Sequence, residues 1–150
     1  MNIAKPFKKR ITITSTSMKI AVVTDDGTII SQHFGRAQFY EVLSVENGAI
    51  VKRERRPKAG HHTFATGDHD HGHEHGASHG FDTASVSKHN QMAETIKDCQ
   101  VVLARGMGNG AYQGMLQNNI RPIVTDIRTI DEAAQAVING TIIDHTEKLH

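Results

Sequence analysis

Apolar residues along the chain form short continuous runs in the first half and helically spaced sets in the second. The run Lys19–Thr24 is largely β-branched and nearly uninterrupted, which is typical of a buried strand. Phe39–Val45 and Ala49–Arg55 are two further strand candidates. The Asn-Gly pair at 47–48 predicts that these two strands form an antiparallel hairpin. The first half therefore predicts three strands.

From about residue 87 the apolar spacing becomes helical, and buried strands then alternate with helices. The predicted elements are a helix with Met92, Ala93, Ile96 and Cys99 on its inner face, strand Val101–Ala104, helix Ala111–Asn118 with Ala111, Met115 and Leu116 facing inward, and strand Pro122–Thr125. A capping box of Thr129 and Glu132 predicts the start of a last helix, which Gly140 ends. Residues Thr141–Asp144 fit either a short strand or a tail.

This order of elements predicts an α/β fold. Strands that alternate with helices require a mainly parallel sheet with helices on both faces, and the hairpin adds an antiparallel strand. We therefore expect a three-layer α/β/α domain with a mixed five-stranded sheet. A chain of 150 residues is the size of one domain. We expect that domain at residues 18–145, with an insert at 61–80 and a disordered basic extension at 1–17.

Charge and composition exclude several classes of protein. The net charge is +1, and residues 1–17 carry four basic residues and no acid, so the remainder is slightly acidic and gives no nucleic-acid-binding surface. No apolar run approaches the roughly 18 residues of a membrane span. A single cysteine excludes an intramolecular disulfide and an all-cysteine iron–sulfur site within one chain. With no export signal, we expect a cytoplasmic protein.

Histidine is the unusual component, because seven of the eleven histidines lie in the segment His61–Gly80. Neutral imidazole is a common ligand of zinc, nickel and copper. The candidate metal ligands of this segment are His61, His62, His69, His71, His73, His75 and His79. Low-complexity histidine tracts also chelate metal adventitiously. The segment therefore predicts either a divalent-metal buffer or a loop without a biological role.

A glycine-rich turn follows the strand Val101–Ala104 and opens the next helix. The sequence Gly106–Ala111 places glycines where main-chain N–H groups at a helix N-terminus could meet an anion. The spacing also matches the dinucleotide-binding fingerprint, with Asp126 after the following strand. A nucleotide-binding domain and a tight turn with nothing bound are both compatible with this pattern.

Two segments together resemble a known family. Ile30–Phe39 reads ISQHFGRAQF and Val101–Ala111 reads VVLARGMGNGA. With Met18–Thr24, Leu116–Thr125 and Ile130–Gly140, they are similar to the dinitrogenase iron–molybdenum cofactor biosynthesis family, the NifX and NifB C-terminal-like proteins. The resemblance spans about residues 18–140 and is interrupted by the histidine-rich insert.

The resemblance implies a ribonuclease H-like α/β/α fold without nuclease function. It also implies a non-enzymatic carrier or scaffold of metal–sulfur clusters, including iron–molybdenum cofactor, with cluster-biosynthesis or acceptor proteins as partners. The residues it assigns to the site are Ser31, His33, Phe34, Gly35, Arg36, Gly106, Met107, Gly108, Asn109, Gly110 and Ala111.

Cluster chemistry suits these residues, since a soft anionic cluster needs few ligands and positive potential. His33 could bind the metal, Arg36 could balance charge, and the 106–110 amides could face sulfides. Phe34 and Cys99 also fit simple core packing. The nucleotide and metal-buffer interpretations, the physiological metal and the oligomeric state stay open at this point.

Overall fold

Five strands form one mixed sheet in the computed structural model, which describes residues 17–58 and 90–150. The strands are β1 (Ser17–Thr24), β2 (Phe39–Glu46), β3 (Ala49–Pro57), β4 (Val101–Ala104) and β5 (Arg121–Val124). Their spatial order is β3-β2-β1-β4-β5. The predicted mixed five-stranded sheet of the α/β class is confirmed. The predicted N-terminal extension and the histidine-rich insert lie outside the described residues, except that β1 already begins at Ser17.

Strand direction gathers the site at one edge of the sheet. β1 pairs in parallel with β4, and β4 with β5, so these three strands end at the same edge. β2 is antiparallel to β1, with Phe39 opposite Thr24, and β3 is antiparallel to β2, with Pro57 opposite Phe39. The start of β2 and the end of β3 therefore lie at this edge too. We call it the carboxyl edge.

The hairpin of β2 and β3 turns at the predicted Asn-Gly pair. Asn47 and Gly48 have φ values of 54° and 81°, which is the left-handed geometry of a type I′ turn. The predicted hairpin is confirmed. β3 forms one side of the sheet, and its basic residues pair with acids, including Arg53 with Asp131. Such charges disfavour pairing of an edge strand with another chain.

Two helices and a helical segment cover the sheet. The helices are α1 (Asn109–Gln117) and α2 (Ile130–Asn139), and residues 90–94 are also helical. On one face of β1, Ala21 and Val23 belong to a core cluster with α1 and with residues 92–99. On the other face, Ile20 and Val22 belong to a cluster with α2. β1 is therefore buried on both sides, as its uninterrupted apolar run predicts.

The predicted helix ends are confirmed for α2. The Thr129 hydroxyl accepts a hydrogen bond from the Glu132 N–H at 3.3 Å, which is the N-cap bond of the predicted capping box. The Glu132 carboxylate accepts from the Thr129 hydroxyl at 3.0 Å in place of the Thr129 N–H that a full capping box uses. Gly140 ends the helix in the left-handed conformation. The helix therefore begins and ends where local hydrogen bonding predicts.

The side of α1 on which Leu116 lies was predicted wrongly, and the two alternatives for residues 141–144 are decided by the structure. Leu116 was expected to face inward, but it is 45% exposed. The buried side of α1 consists instead of Ala111, Gly114 and Met115, which follow the i, i+3, i+4 spacing of one helix face. Residues 141–145 form no strand, and a short 3-10 helix, Thr146–Lys148, follows them.

Cys99 is a small buried core residue, as one of its two interpretations predicts. It is 2% exposed and belongs to the same cluster as α1. Burial, helped by the nearby Asp98 charge, raises the pKa of its thiol to about 12. Cys99 is therefore a neutral thiol near pH 7. In the described parts of the chain, no helix is long and apolar enough to cross a membrane.

Asp98 joins three parts of the sheet through ion pairs. Its carboxylate accepts from both terminal nitrogens of Arg56, at 2.7 and 3.0 Å, and from the Lys19 ammonium at 3.1 Å. The bidentate contact with Arg56 holds the pKa of Asp98 well below its ordinary value of 3.8. A carboxylate with a lowered pKa stabilises the fold above its unfolded pKa, and this contribution is lost as the pH falls through the folded value.

We expect Asp98→Asn to lower the free energy of unfolding at pH 7 by about 1 kcal/mol, since the pair is partly exposed to solvent. The difference from the unchanged protein should shrink as the pH falls below 3.8. Urea unfolding at several pH values measures both effects. Glu94→Gln, which removes only the exposed pair with Lys97, is the control and should change little. A pH-independent Asp98→Asn difference would contradict the assigned cause.

Candidate functional site

Loops that leave the carboxyl edge come together beside the parallel strands β1 and β4. One loop follows β1 and contains the turn Ser31–Arg36, and the other follows β4 and contains Gly106–Gly110. In open α/β sheets the crevice outside the carboxyl ends of the strands is the usual ligand site. We call the first loop's turn the His33 turn and the second segment the glycine turn.

The His33 turn is organised by its own main chain. The Ser31 hydroxyl accepts from the His33 N–H at 3.1 Å and lies 3.2 Å from the His33 carbonyl oxygen. That carbonyl also accepts from the N–H groups of Arg36 and Ala37, both at 3.1 Å, in the 3-10 helix Phe34–Arg36. His33 is itself an exposed residue of this turn.

Phe34 anchors the turn in the core. It is 2% exposed, and its ring centroid lies 6.5 Å from that of Tyr40. Gly35 and Arg36, which follow it, are exposed. The turn therefore has an apolar anchor on one side and presents an imidazole and a guanidinium residue to solvent on the other.

The glycine turn packs main chain to main chain against the His33 turn. The Arg105 N–H donates to the Ser31 carbonyl at 2.9 Å, and the Phe34 N–H donates to the Gly106 carbonyl at 3.1 Å. A Cβ atom at position 106 would overlap the main-chain oxygen of Gln32. Glycine at 106 is therefore required for this close approach, which brings the two sequence motifs into one surface.

The N-terminus of α1 is partly used by the chain itself. The Asn109 N–H donates to the main-chain oxygen of His150 at 2.8 Å, and the His150 N–H donates to the Met107 carbonyl at 3.3 Å. Within residues 17–58 and 90–150, the N–H groups of Gly110 and Ala111 donate to no acceptor. These two amides are the main-chain donors that α1 offers to an anion.

Residues 144–150 run along the carboxyl edge and hold His150 in place. The Asp144 carboxylate accepts from the Val124 N–H at 2.9 Å and from the Tyr112 hydroxyl at 2.6 Å. The hydrogen bond to Asp144 raises the pKa of Tyr112. Leu149 packs against the core cluster that contains Met107. We call residues 144–150 the closing segment.

Three basic residues lie in or beside the two turns. Arg36 belongs to the His33 turn, Arg105 directly precedes the glycine turn, and Lys58, which follows β3, donates to the Ala37 carbonyl at 3.3 Å. Arg36 pairs with no carboxylate of the described residues. Acids lie at the same edge, since the Asp25 carboxylate accepts from the Gln38 N–H at 2.8 Å and Asp144 belongs to the closing segment. Arg36 and Lys58 are the positive groups that could face an anion beside the His33 turn.

A family model of the dinitrogenase iron–molybdenum cofactor matches residues 16–140. The chain belongs to the dinitrogenase iron–molybdenum cofactor family. The resemblance stated from the His33 and glycine motifs is thereby confirmed. No curated protein sequence matches the chain.

Solved structures share the fold at low sequence identity. The orange protein of Desulfovibrio gigas, in its apo form, is 18% identical and has a TM-score of 0.57, with 83% of this chain and 90% of that one covered. A candidate dinitrogenase of Methanocaldococcus jannaschii is 10% identical with a TM-score of 0.55, and the coverage is 84% and 92%. A candidate NifB protein of Thermotoga is 16% identical with a TM-score of 0.53, and the coverage is 86% and 94%.

The residues that the sequence predicts for the cluster site fall into three groups. Exposed or half-buried ones are Ser31, His33, Gly35, Arg36, Gly108, Asn109 and Gly110. Phe34 and Met107 have core side chains, so only their main chain can face a ligand. Gly106 is buried against Gln32. The structure thus brings the two predicted motifs together. It also separates the residues whose side chains are buried from those that are exposed.

The histidine-rich segment lies outside the described residues, and with it the metal ligands predicted there. Those residues are His61, His62, His69, His71, His73, His75 and His79. Among residues 17–58 and 90–150, no group of three or more histidine, cysteine or acidic residues is placed to hold a metal ion. Among those residues, His33 therefore belongs to no such group.

The nucleotide interpretation gains no support from the glycine turn. The β4–α1–β5 unit that it needs is present, but Gly106 is required by the packing of Gln32. The Asp126 carboxylate, which would bind a ribose, lies 3.5 Å from the His145 imidazole. Calorimetric titration with NAD and ATP tests this interpretation directly.

Three site residues have no clear signal in the sequence. Lys58 follows a run of charged residues, Lys52–Arg56, which is typical of a solvated strand edge, yet Lys58 is 6% exposed. Asp144 and His150 lie after the last predicted helix, where the sequence shows neither periodicity nor a motif. Leu149, a hydrophobic residue between polar neighbours, is the sequence feature that indicates packing of the closing segment on the core.

We expect Gly106→Ala to destabilise the protein by about 1–3 kcal/mol, because the added methyl group overlaps a main-chain oxygen that cannot move without breaking the two-turn contact. Gly35→Ala is the matched control, since no atom lies within 4 Å of a Cβ there. Urea unfolding of both variants measures the difference. Equal stability of the two variants would contradict the close approach.

We expect Asp144→Ala to detach the closing segment, because it removes the acceptor of both the Val124 N–H and the Tyr112 hydroxyl. The loss should be about 1–3 kcal/mol, and the Asn109 amide should exchange faster with solvent. Tyr112→Phe removes one of the two bonds and should have the smaller effect on both. Unchanged exchange at Asn109 in Asp144→Ala would show that the segment is held otherwise.

Proposed function

We propose that this protein is a non-enzymatic carrier or scaffold that binds a metal–sulfur cluster, of the iron–molybdenum type or related to it, at the His33 and glycine turns. The observation that carries the proposal is the main-chain contact between the two turns. Two hydrogen bonds join both family motifs into one surface, from the Arg105 N–H to the Ser31 carbonyl and from the Phe34 N–H to the Gly106 carbonyl. Neither turn alone offers an imidazole, a guanidinium residue and free main-chain amides.

The donor set at these turns suits a preassembled cluster better than a bare ion. A metal ion needs several ligands at short distance, whereas a cluster brings most of its own sulfide ligands. One exposed imidazole at His33 can complete the coordination of one metal atom of the cargo. Arg36 and the amides of Gly110 and Ala111 can then donate hydrogen bonds to anionic sulfides.

A carrier must also release its cargo, and the site is suited to that. One coordinate bond and a few hydrogen bonds on an open edge give moderate affinity, in contrast to a closed site with several ligands. Release to a second protein requires only that the partner offer more ligands. Proteins that synthesise or accept such clusters are therefore the proposed partners, and the cytoplasm is the proposed compartment.

The finer description of the fold belongs to the same proposal. Helices α1 and α2 contribute to core clusters on opposite faces of the sheet. This supports the three-layer α/β/α arrangement with ribonuclease H-like topology that the family resemblance implies. For the histidine-rich segment, binding of zinc, nickel or copper stays a prediction of its sequence.

Anaerobic titration with tetrathiomolybdate, a small anionic metal sulfide, tests the site. We expect the unchanged protein to bind it with a shift of its visible absorption. His33→Ala should weaken binding at least about tenfold, which corresponds to about 1.4 kcal/mol, because it removes the proposed metal ligand. Binding that is unchanged in His33→Ala would contradict that role.

Two control variants separate this site from other histidines. His145→Ala removes an imidazole that pairs with Asp126 and Glu147, so it should leave tetrathiomolybdate binding unchanged. A full-length variant with glutamine at all seven histidines of residues 61–80 tests the metal-buffer alternative. If that variant loses all binding while His33→Ala keeps it, the protein is a histidine-based buffer.

A further inference from the structure

Lys58 lies directly beneath the His33 turn. Its ammonium nitrogen donates to the Ala37 carbonyl oxygen at 3.3 Å and lies 4.9 Å from the centroid of the Phe34 ring. The Ala37 N–H in turn donates to the His33 carbonyl at 3.1 Å. The side chain of Lys58 therefore contacts the anchor of the turn, Phe34, and the residue that directly follows the turn, Ala37.

A lysine in this position is unfavourable for folding. Lys58 is 6% exposed, and lysine is almost never buried to that extent without a partner for its charge. Burial lowers the pKa of Lys58 to about 8, and the nearby charge of Asp25 only partly opposes that effect. An apolar side chain of similar length would fill the same space without the desolvation of an ammonium group.

The charged and titratable groups around Lys58 come from three described elements. The turn contributes His33 and Arg36, which are exposed, and the loop after β1 contributes Asp25. β2 contributes Tyr40, whose burial raises its pKa and keeps the hydroxyl neutral. Of these described groups, the Lys58 ammonium is therefore the charged one that is buried.

We propose that Lys58 is a positioning residue of the cluster site, whose buried ammonium group fixes the His33 turn and favours anionic cargo there. This inference rests on the proposed function. The Ala37 carbonyl and the Phe34 ring hold the ammonium at a defined place behind the turn. A buried charge is also screened less by salt than the exposed guanidinium of Arg36, so it acts on cargo even at physiological ionic strength.

Titration of Lys58 then links cargo binding to pH. Between pH 7 and 9 the ammonium loses its proton, so its attraction for an anion disappears over this range. The same titration changes the stability of the fold in the opposite direction. A lysine with a lowered pKa makes the fold less stable while it is protonated, and this cost is relieved as the pH rises from about 8 towards 10.5.

Tetrathiomolybdate titrations from pH 7 to 9 on the full-length protein test the inference. If the neutral lysine form binds about tenfold more weakly than the charged form, the affinity of the unchanged protein should fall about fivefold over this range. Lys58→Met should bind about tenfold more weakly at pH 7, with no pH dependence. Lys58→Arg should restore binding at pH 7 and keep it constant to pH 9, because arginine stays protonated.

Controls separate charge from folding. Lys52→Met removes an exposed lysine of the same strand and should leave the affinity and its pH dependence unchanged. The melting temperature of Lys58→Met at pH 7 should equal or exceed that of the unchanged protein. If methionine prevents folding, the comparison of Lys58→Arg with the unchanged protein still decides, since a charge role predicts that only the lysine protein loses affinity by pH 9.

The outcomes distinguish the inference from the proposed function. If the unchanged protein binds tetrathiomolybdate and Lys58→Met binds it with the same affinity and pH profile, the role of Lys58 is overturned. The cluster site then stands. Weak binding in both Lys58→Met and Lys58→Arg shows a shape requirement and overturns the charge role. If the unchanged protein takes up no tetrathiomolybdate at any pH, the proposed function fails and the inference fails with it.

Discussion

The main-chain contact between Gln32 and Gly106 is the constraint on which the site depends. β1 and β4 are parallel neighbours, so their loops leave the carboxyl edge side by side, but side chains would normally keep the loops apart. The missing Cβ atom at 106 lets them share two hydrogen bonds, from Arg105 to Ser31 and from Phe34 to Gly106. Because Phe34 is also buried in the core, the turn that carries His33 is fixed from two directions.

The closing segment limits what the glycine turn can do. A helix N-terminus offers several free N–H groups, but in α1 the first of them, at Asn109, already donates to His150. An anion at this edge would meet Gly110 and Ala111 and would lie beside the closing segment. The glycine turn therefore offers a polyphosphate fewer main-chain donors than a glycine-rich nucleotide loop does, whereas the proposed cluster would bring its own sulfide ligands.

The sequence predicts elements well where local hydrogen bonding or periodicity determines them. The hairpin at Asn47-Gly48 and the ends of α2 at Thr129 and Gly140 follow from turn and cap chemistry, and the structure has them there. Leu116 was assigned to the wrong side of α1 because a nine-residue helix with two glycines shows little periodicity. Residues 144–150 carry no pattern, since their contacts with Val124 and Asn109 are made entirely through tertiary structure. The burial of Lys58 could not be predicted for the same reason. A run of basic residues has the same pattern in the sequence whether its last member faces water or the core.

The two kinds of positive charge at the edge have different consequences for selectivity. Arg36 is exposed, and a charge in water attracts any anion weakly and is screened over about 8 Å at physiological ionic strength. Lys58 lies against the Phe34 ring and is 6% exposed, so its charge is screened less by solvent. Small, strongly hydrated anions gain little from it, since they would have to lose water to approach an apolar ring. A large, soft, weakly hydrated anion does not have that cost. If the proposed cargo binds at this edge, burial of the lysine would thus favour a metal–sulfur cluster over phosphate, which the number of basic residues alone could not do.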